Sequence, residues 1–369
     1  MDHPVFPDGG PVSPAPSPAF SSVPPQGAVF GAPQPVPSPE AEAKRAYSRV
    51  GIAFFALVAV SQFALALPVA LLLFFFPSLG SEAWFNVLYS FIALYCVGLP
   101  VVLLCLIGAP KNEIVRRPFS FGGFVKIAVI SLSVMNLLSF FSQWFVGLLE
   151  NLLGTEISSP LDSSLETSGV WLYLLSAVVI APVFEELLFR RILLTRLVRF
   201  GEWPAVLVGA LIFSLVHGNF FQIFYAFAVG VLLGWLYLRT GKLLYPILLH
   251  FTVNFFGSVP GILLERFTDT EALEAFFEDP SAFSAEAFSA LLPTLAAYGA
   301  YLIALGAVMI CGLVFLLLSF RRERLRLSLS PFPAKKTAKL ALVNVGMILF
   351  LILSAVVILV SLAEGALLS

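Results

Sequence analysis

The sequence is poor in charge. Asp, Glu, Lys and Arg make up only 12% of its 369 residues, and 22 acids against 21 bases leave a formal net charge of −1. With no overall basic field, nucleic acid is set aside as a partner. Cysteine is scarce as well: Cys96, Cys105 and Cys311 all lie inside apolar runs, without CxxC spacing. Neither a disulfide framework nor a thiolate zinc site is suggested, and the three read as small core residues. HExxH, GxSG and GxGD are also missing. These absences remove the zinc-helix, serine and aspartyl designs of membrane proteases.

What the chain has is apolar length. Hydrophobic residues make up 59% of it and the mean hydropathy is +0.96, far from a soluble globular composition. Apolar runs cover roughly 50–76, 86–109, 120–149, 168–190, 204–218, 220–238, 243–263, 289–319 and 340–365. The expected fold is therefore all-α, a polytopic transmembrane bundle of eight or nine spanning helices. The fifth run is short for a span. Basic residues (Lys44, Arg45, Arg49; Lys111, Arg116, Arg117; Arg239, Lys242) alternate with acidic loops such as Glu265 to Glu286. Positive loops stay inside, so the N-terminus is expected in the cytoplasm.

Residues 1–43 carry twelve of the 26 prolines among small polar residues, and are expected to be a disordered cytoplasmic tail rather than a secretory leader. The remaining chain divides into N-terminal helices (44–165), a core (166–262), and an acidic exterior segment with C-terminal helices (263–369). Within that segment "EALEAFFEDPSAF" has the spacing of a short surface helix, and Gly230 with Gly234 forms a GxxxG packing pair.

Ionisable residues inside apolar runs cost about 2.5–3.5 kcal/mol or more and so tend to face a protein interior or a wet cavity. Lys126, near the end of its run, is explained by a side chain reaching for the interface. The stretch "APVFEELLFRR" (181–191) is different. Glu186 and Arg190, four apart, share a helix face and can pair, whereas Glu185 points about 100° away. Pro182, three residues earlier, removes a backbone donor and predicts a kinked or opened helix.

Only three histidines occur, and His3 lies in the tail. His217 closes "FSLVH" with Phe213 one turn earlier, and His250 opens "HFTVN" with Asn254 one turn later. Carboxylates, imidazoles and an amide thus project from three helices. Glu185 could activate water with His217 positioning it, while His250 and Asn254 donate to an oxyanion. Glu185, His217 and His250 could alternatively hold a divalent metal. A different class, a proton-coupled transporter, could use the same groups as a relay, and would show paired broken helices in both halves. A non-proteolytic membrane scaffold is a third reading.

The three motifs EExxxR, FxxxH and HxxxN, in this order over about 168–258, resemble the CPBP family of intramembrane proteases, which includes type II CAAX prenyl protease and Abi homologues. The resemblance implies a membrane-embedded endopeptidase with Glu185 as base, His217 as its partner, and His250 with Asn254 completing the site. Glu186 and Arg190 take supporting positions. It leaves open whether Zn2+ is bound or no cofactor is required. The expected partners are a peptide or protein substrate and the lipid bilayer, in a bacterial cell membrane. Span counting alone places Glu185 and His217 at opposite ends of their helices. Bringing them together requires the fourth helix to run on toward Arg199, with a conical cavity opening to the cytoplasm.

Overall fold

The computed structural model describes residues 37–155, 157, 169–321 and 327–368. The first 36 residues of the expected tail lie outside them. Residues Pro39–Ser369 form one unit and Met1–Ser38 another. Every regular element among the described residues is helical. In chain order the long ones are α1 (Pro39–Phe75), α2 (Val87–Cys105), α3 (Phe121–Leu153), α4 (Val170–Phe200) and the shorter α5 (Glu202–Val216). They continue with α6 (Phe220–Thr240), α7 (Leu244–Phe267), the short α8 (Thr270–Glu278), α9 (Ala285–Ser319), α10 (Ala334–Leu342) and α11 (Val345–Ala363). All but α5, α8 and α10 are long and apolar enough to cross a membrane, eight spans in total among the described residues. The chain is an integral multi-pass membrane protein.

Two departures from the sequence reading have local causes. Helix α1 begins at Pro39, inside the predicted tail, because proline suits a first helical position and Glu40 and Glu42 favour the positive N-terminal end. The run at 340–365 is split, since Asn344 turns its side chain onto the Leu340 and Ala341 carbonyls and the Met347 N–H. Helix α10 therefore lies apart as a basic amphipathic segment. Helix α4 runs on to Phe200, as the site required.

The basic loops gather at one end of the bundle. There Arg199 pairs with Glu42 at 2.6 Å, Lys336 pairs with Glu40, and Arg49 donates to the carbonyls of Cys105 and Ile107. Just inside this end lies the main core, in which Tyr47, Phe54, Leu193, Leu197, Phe200 and Phe350 are buried.

Small residues set the helix spacing. Gly230 and Gly234 bring α6 against α5, where a Cβ at Gly230 would stand 3.1 Å from the Cα of Ala210. This is the packing role expected of the GxxxG pair. The closest crossing is between α1 and α11: a Cβ on Gly51 would collide with the Gly346–Met347 peptide, and one on Gly346 with the Ser48 carbonyl. Gly346→Val is expected to cost about 1–3 kcal/mol or more by forcing these backbones apart. Gly261→Ala, in open space on α7, should leave the thermal unfolding midpoint in detergent unchanged. Equal midpoints for the two variants would show that the α1–α11 crossing is not tight.

Candidate active site

Helix α4 is not a regular α-helix around its acids. Residues Leu174–Ile180 and Leu187–Leu194 form π turns, and only Ala181–Glu186 between them keeps α geometry. In a π turn a backbone N–H bonds the carbonyl five residues back, and five beyond Ala177 stands Pro182, which has no N–H. Asn254 on α7 supplies the missing donor: its Nδ2 lies 2.8 Å from the Ala177 carbonyl. The predicted opening of the helix at Pro182 is real, and Asn254 is the side chain that seals it.

One turn beyond, Arg190 and Glu186 face the protein interior. The Arg190 Nε lies 3.0 Å from Glu186 Oε2, and the two side chains are 2% and 0% exposed. The other oxygen of Glu186, Oε1, is 3.0 Å from His250 Nδ1. A carboxylate only accepts, so His250 Nδ1 carries a proton and its Nε2 is turned the other way. That Nε2 lies 3.9 Å from Glu185 Oε2. The four groups form one chain, from Arg190 through Glu186 and His250 to Glu185.

Glu185 is 21% exposed and looks into a cavity of about 430 Å³ between α1, α2, α4 and α5. Its Oε1 accepts a long hydrogen bond, 3.5 Å, from the Tyr95 hydroxyl of α2. Its Oε2 is buried and has no hydrogen bond among the described residues. Phe213 and His217 share the cavity wall. His217 Nδ1 is 2.7 Å from the Phe213 carbonyl, an acceptor, so the neutral ring carries its proton there and presents Nε2 as a lone pair.

The backbone explains why α5 stops short of a full crossing. His217 ends it, Gly218 takes φ +67°, and Asn219 caps α6. Asn219 accepts from the Gln222 N–H at 3.0 Å and donates to the His217 carbonyl at 3.1 Å. Buried turns need such internal partners because lipid offers none.

Phe213 binds these parts together. Its ring meets His217 edge-on at 4.9 Å and His250 at 5.7 Å, and the Arg190 guanidinium sits 5.1 Å from its centroid. The structure thus gathers Glu185, His217 and Phe213 on the cavity wall, with Glu186, Arg190 and His250 directly behind. Asn254 is placed on Ala177, outside the residues lining the cavity.

Sequence reasoning missed Tyr95 and Asn219. Asn219 had a signal in the His-Gly-Asn run between two apolar segments, a turn-and-cap pattern. Tyr95, one aromatic in an apolar helix, had none. Its ring stacks on Phe184 at 4.6 Å, the residue before Glu185.

The cavity lining reaches toward the basic end as far as Leu57, Tyr95 and Phe189, and Tyr47, Phe54, Leu193, Leu197 and Phe200 are buried further along the same helices or at their ends.

Comparison with known proteins agrees with the motifs. Residues 167–256 match the family model described as type II CAAX prenyl endopeptidase Rce1-like. Over 163 residues the chain is 27% identical to YdiL of Bacillus subtilis (strain 168), named as a candidate membrane peptidase; the alignment covers 43% of this chain. This chain spans 65% of that relative's length. No solved structure matches. The family resemblance read from EExxxR, FxxxH and HxxxN is borne out over the segment that carries them.

Removing one member of the buried pair leaves the other uncompensated. Glu186→Ala is expected to cost about 3–5 kcal/mol in stability, and Glu186→Ala with Arg190→Met to recover most of it. Thermal unfolding of purified protein checks this; a double variant no more stable than the single would refute the pairing. Asn254→Ala, which strips the Ala177 carbonyl of its donor, should cost about 1–3 kcal/mol.

Proposed function

We propose that the protein is an intramembrane endopeptidase that hydrolyses a peptide bond in the α1–α2–α4–α5 cavity with a water activated by Glu185. The observation that carries the reading is the buried Glu185 Oε2, an acceptor without a hydrogen bond among the described residues, on the wall that also presents His217 Nε2. A buried acceptor needs a donor, and a water held by both groups would be one.

In this reaction the water oxygen attacks the substrate carbonyl while its proton passes to Glu185, with His217 Nε2 orienting the second O–H. The electron pair of the C=O moves onto oxygen. An N–H from His250 Nε2 stabilises that charge when the ring is protonated at both nitrogens. In that state Arg190, Glu186, His250 and Glu185 carry charges summing to zero, the condition a low-dielectric site favours. Collapse of the intermediate breaks the C–N bond, and the proton on Glu185 goes to the leaving amine. Asn254 would act with His250 through its second amide hydrogen, or hold α4 open at Ala177.

Tyr95 is a positioning residue in this scheme. Its hydroxyl on Oε1 orients the Glu185 carboxylate so that Oε2 addresses the water. Phe213 keeps the two imidazoles apart.

The residues present do not fit a zinc site as placed. Among the described residues no three His, Cys, Asp or Glu side chains close around a common point. No step is routed through a metal.

The substrate is a peptide or protein segment able to enter the bilayer, since the cavity lies at membrane depth. The lipid bilayer itself is the second partner. The basic end in the cytoplasm and a bacterial cell membrane as the setting are both proposals in themselves.

Purified protein assayed against a peptide library tests the scheme. Glu185→Gln, which keeps shape and removes the base, should lower kcat by about 10²-fold or more with an unchanged unfolding midpoint. Undiminished cleavage would refute the assignment. Tyr95→Phe should lower kcat with KM unchanged. Treatment with a zinc chelator should leave cleavage intact; loss restored by added zinc would overturn the metal-free scheme.

A further inference from the structure

The α1–α2 wall of the active-site cavity carries polar side chains that the hydrolytic scheme does not use. Helix α1 passes through a π turn at Val60–Ala64, where the Leu65 N–H bonds the Val60 carbonyl at 3.3 Å. That turn brings Ser61 and Gln62 to the cavity, and α2 brings Tyr89 and Ser90. The Tyr89 hydroxyl donates to the Ser61 carbonyl at 3.3 Å, and the Ser61 hydroxyl donates to the Val58 carbonyl at 3.3 Å. Those two hydroxyls are satisfied within the protein, and the first of them ties α2 to the π turn. Gln62 and Ser90 are different: both are exposed on the cavity, and neither side chain makes a hydrogen bond among the described residues.

We infer, resting on the endopeptidase reading, that Gln62 is a substrate-binding residue: its amide holds the main chain of an extended peptide and so sets which bond lies before Glu185. A primary amide placed at membrane depth is costly unless it meets a polar partner. Apart from Glu185, Tyr95, His217 and the four residues of the polar wall, the lining is leucine, alanine, phenylalanine and valine. The π turn nonetheless turns the amide into this apolar enclosure, toward the space in which the substrate is cut.

A peptide chain has the matching need. To be cut it must be unwound, and once it leaves water its N–H and C=O groups have no partner unless the protein supplies one. In an extended strand both groups of one residue point to the same side, as in the hydrogen-bonded pairs of an antiparallel ladder. A glutamine amide presents a donor and an acceptor together at the end of its side chain, the complement of that edge. Pairing of this kind gives affinity through the main chain, without reading the substrate's side chains. The Ser90 hydroxyl, a donor or an acceptor according to its rotation, is available to a neighbouring peptide group.

Peptide binding to the full-length Glu185→Gln protein in detergent tests this without requiring cleavage. The probe is the tightest-binding member of a fluorescently labelled decapeptide library, read by anisotropy, together with analogues in which one peptide N–H at a time is replaced by an ester oxygen. One replacement should weaken binding about 3- to 10-fold, the loss of a single hydrogen bond. The same replacement should cost nothing further once Gln62→Leu is added. Gln62→Leu should itself weaken binding of the parent peptide by a similar factor and leave the unfolding midpoint unchanged; Gln62→Met, of the original length, should behave alike and decides if the Leu variant unfolds. Parent binding equal with and without the Gln62 substitution, ester losses equal in both backgrounds, or no binding by any member would overturn the assignment. With Glu185 restored, Gln62→Leu should raise KM by the same factor. Cleavage that persists in Glu185→Gln would overturn the endopeptidase scheme and leave the binding result for Gln62 standing.

Discussion

The site rests on one buried ion pair. Glu186 and Arg190 are almost wholly removed from solvent, 3.0 Å apart on successive turns of α4. In a low-dielectric interior each charge alone would be expensive, so each depends on the other. The carboxylate spends its second oxygen on His250, which fixes the rotation of that ring and aims its Nε2 at Glu185. The guanidinium lies over Phe213, whose backbone carbonyl in turn fixes His217. Every imidazole in the site is thus oriented by a group that traces back to the pair.

Backbone irregularity does the rest. Seven of the fourteen residues around the cavity lie in π turns of α1, α2 and α4: Ser61 and Gln62, Ala93 to Tyr95, and Leu188 with Phe189. A π turn widens the helix and swings its side chains off the regular face. Such turns survive in a bilayer only where the released backbone groups find partners. At Ala177 the partner is Asn254, and at the end of α5 it is Asn219. The polar side chains of this region are therefore divided between chemistry and the upkeep of an opened backbone.

The two ends of the bundle differ in packing. At the basic end aromatic and leucine side chains are buried near the ion pairs of Arg199 with Glu42 and Lys336 with Glu40. The cavity sits further along α1, and beyond it on the same helix Leu67, Leu71 and Phe74 stand exposed.

The sequence by itself determined the membrane class, nearly all the helices and the identity of the acids, histidines and amide. Apolar length and rare intramembrane charges are properties of composition and order, which need no fold to be read. The pairing of Glu186 with Arg190 followed from helical spacing, as did the GxxxG contact. The tertiary structure alone decided which nitrogen of His217 is left for the cavity, that His250 sits between the two glutamates, that Asn254 turns to Ala177, and that Tyr95 reaches Glu185 from ninety residues away. Those outcomes depend on how separate helices cross, and the close approaches that set the crossings, such as Gly51 on Gly346, join positions too distant for any local pattern to connect.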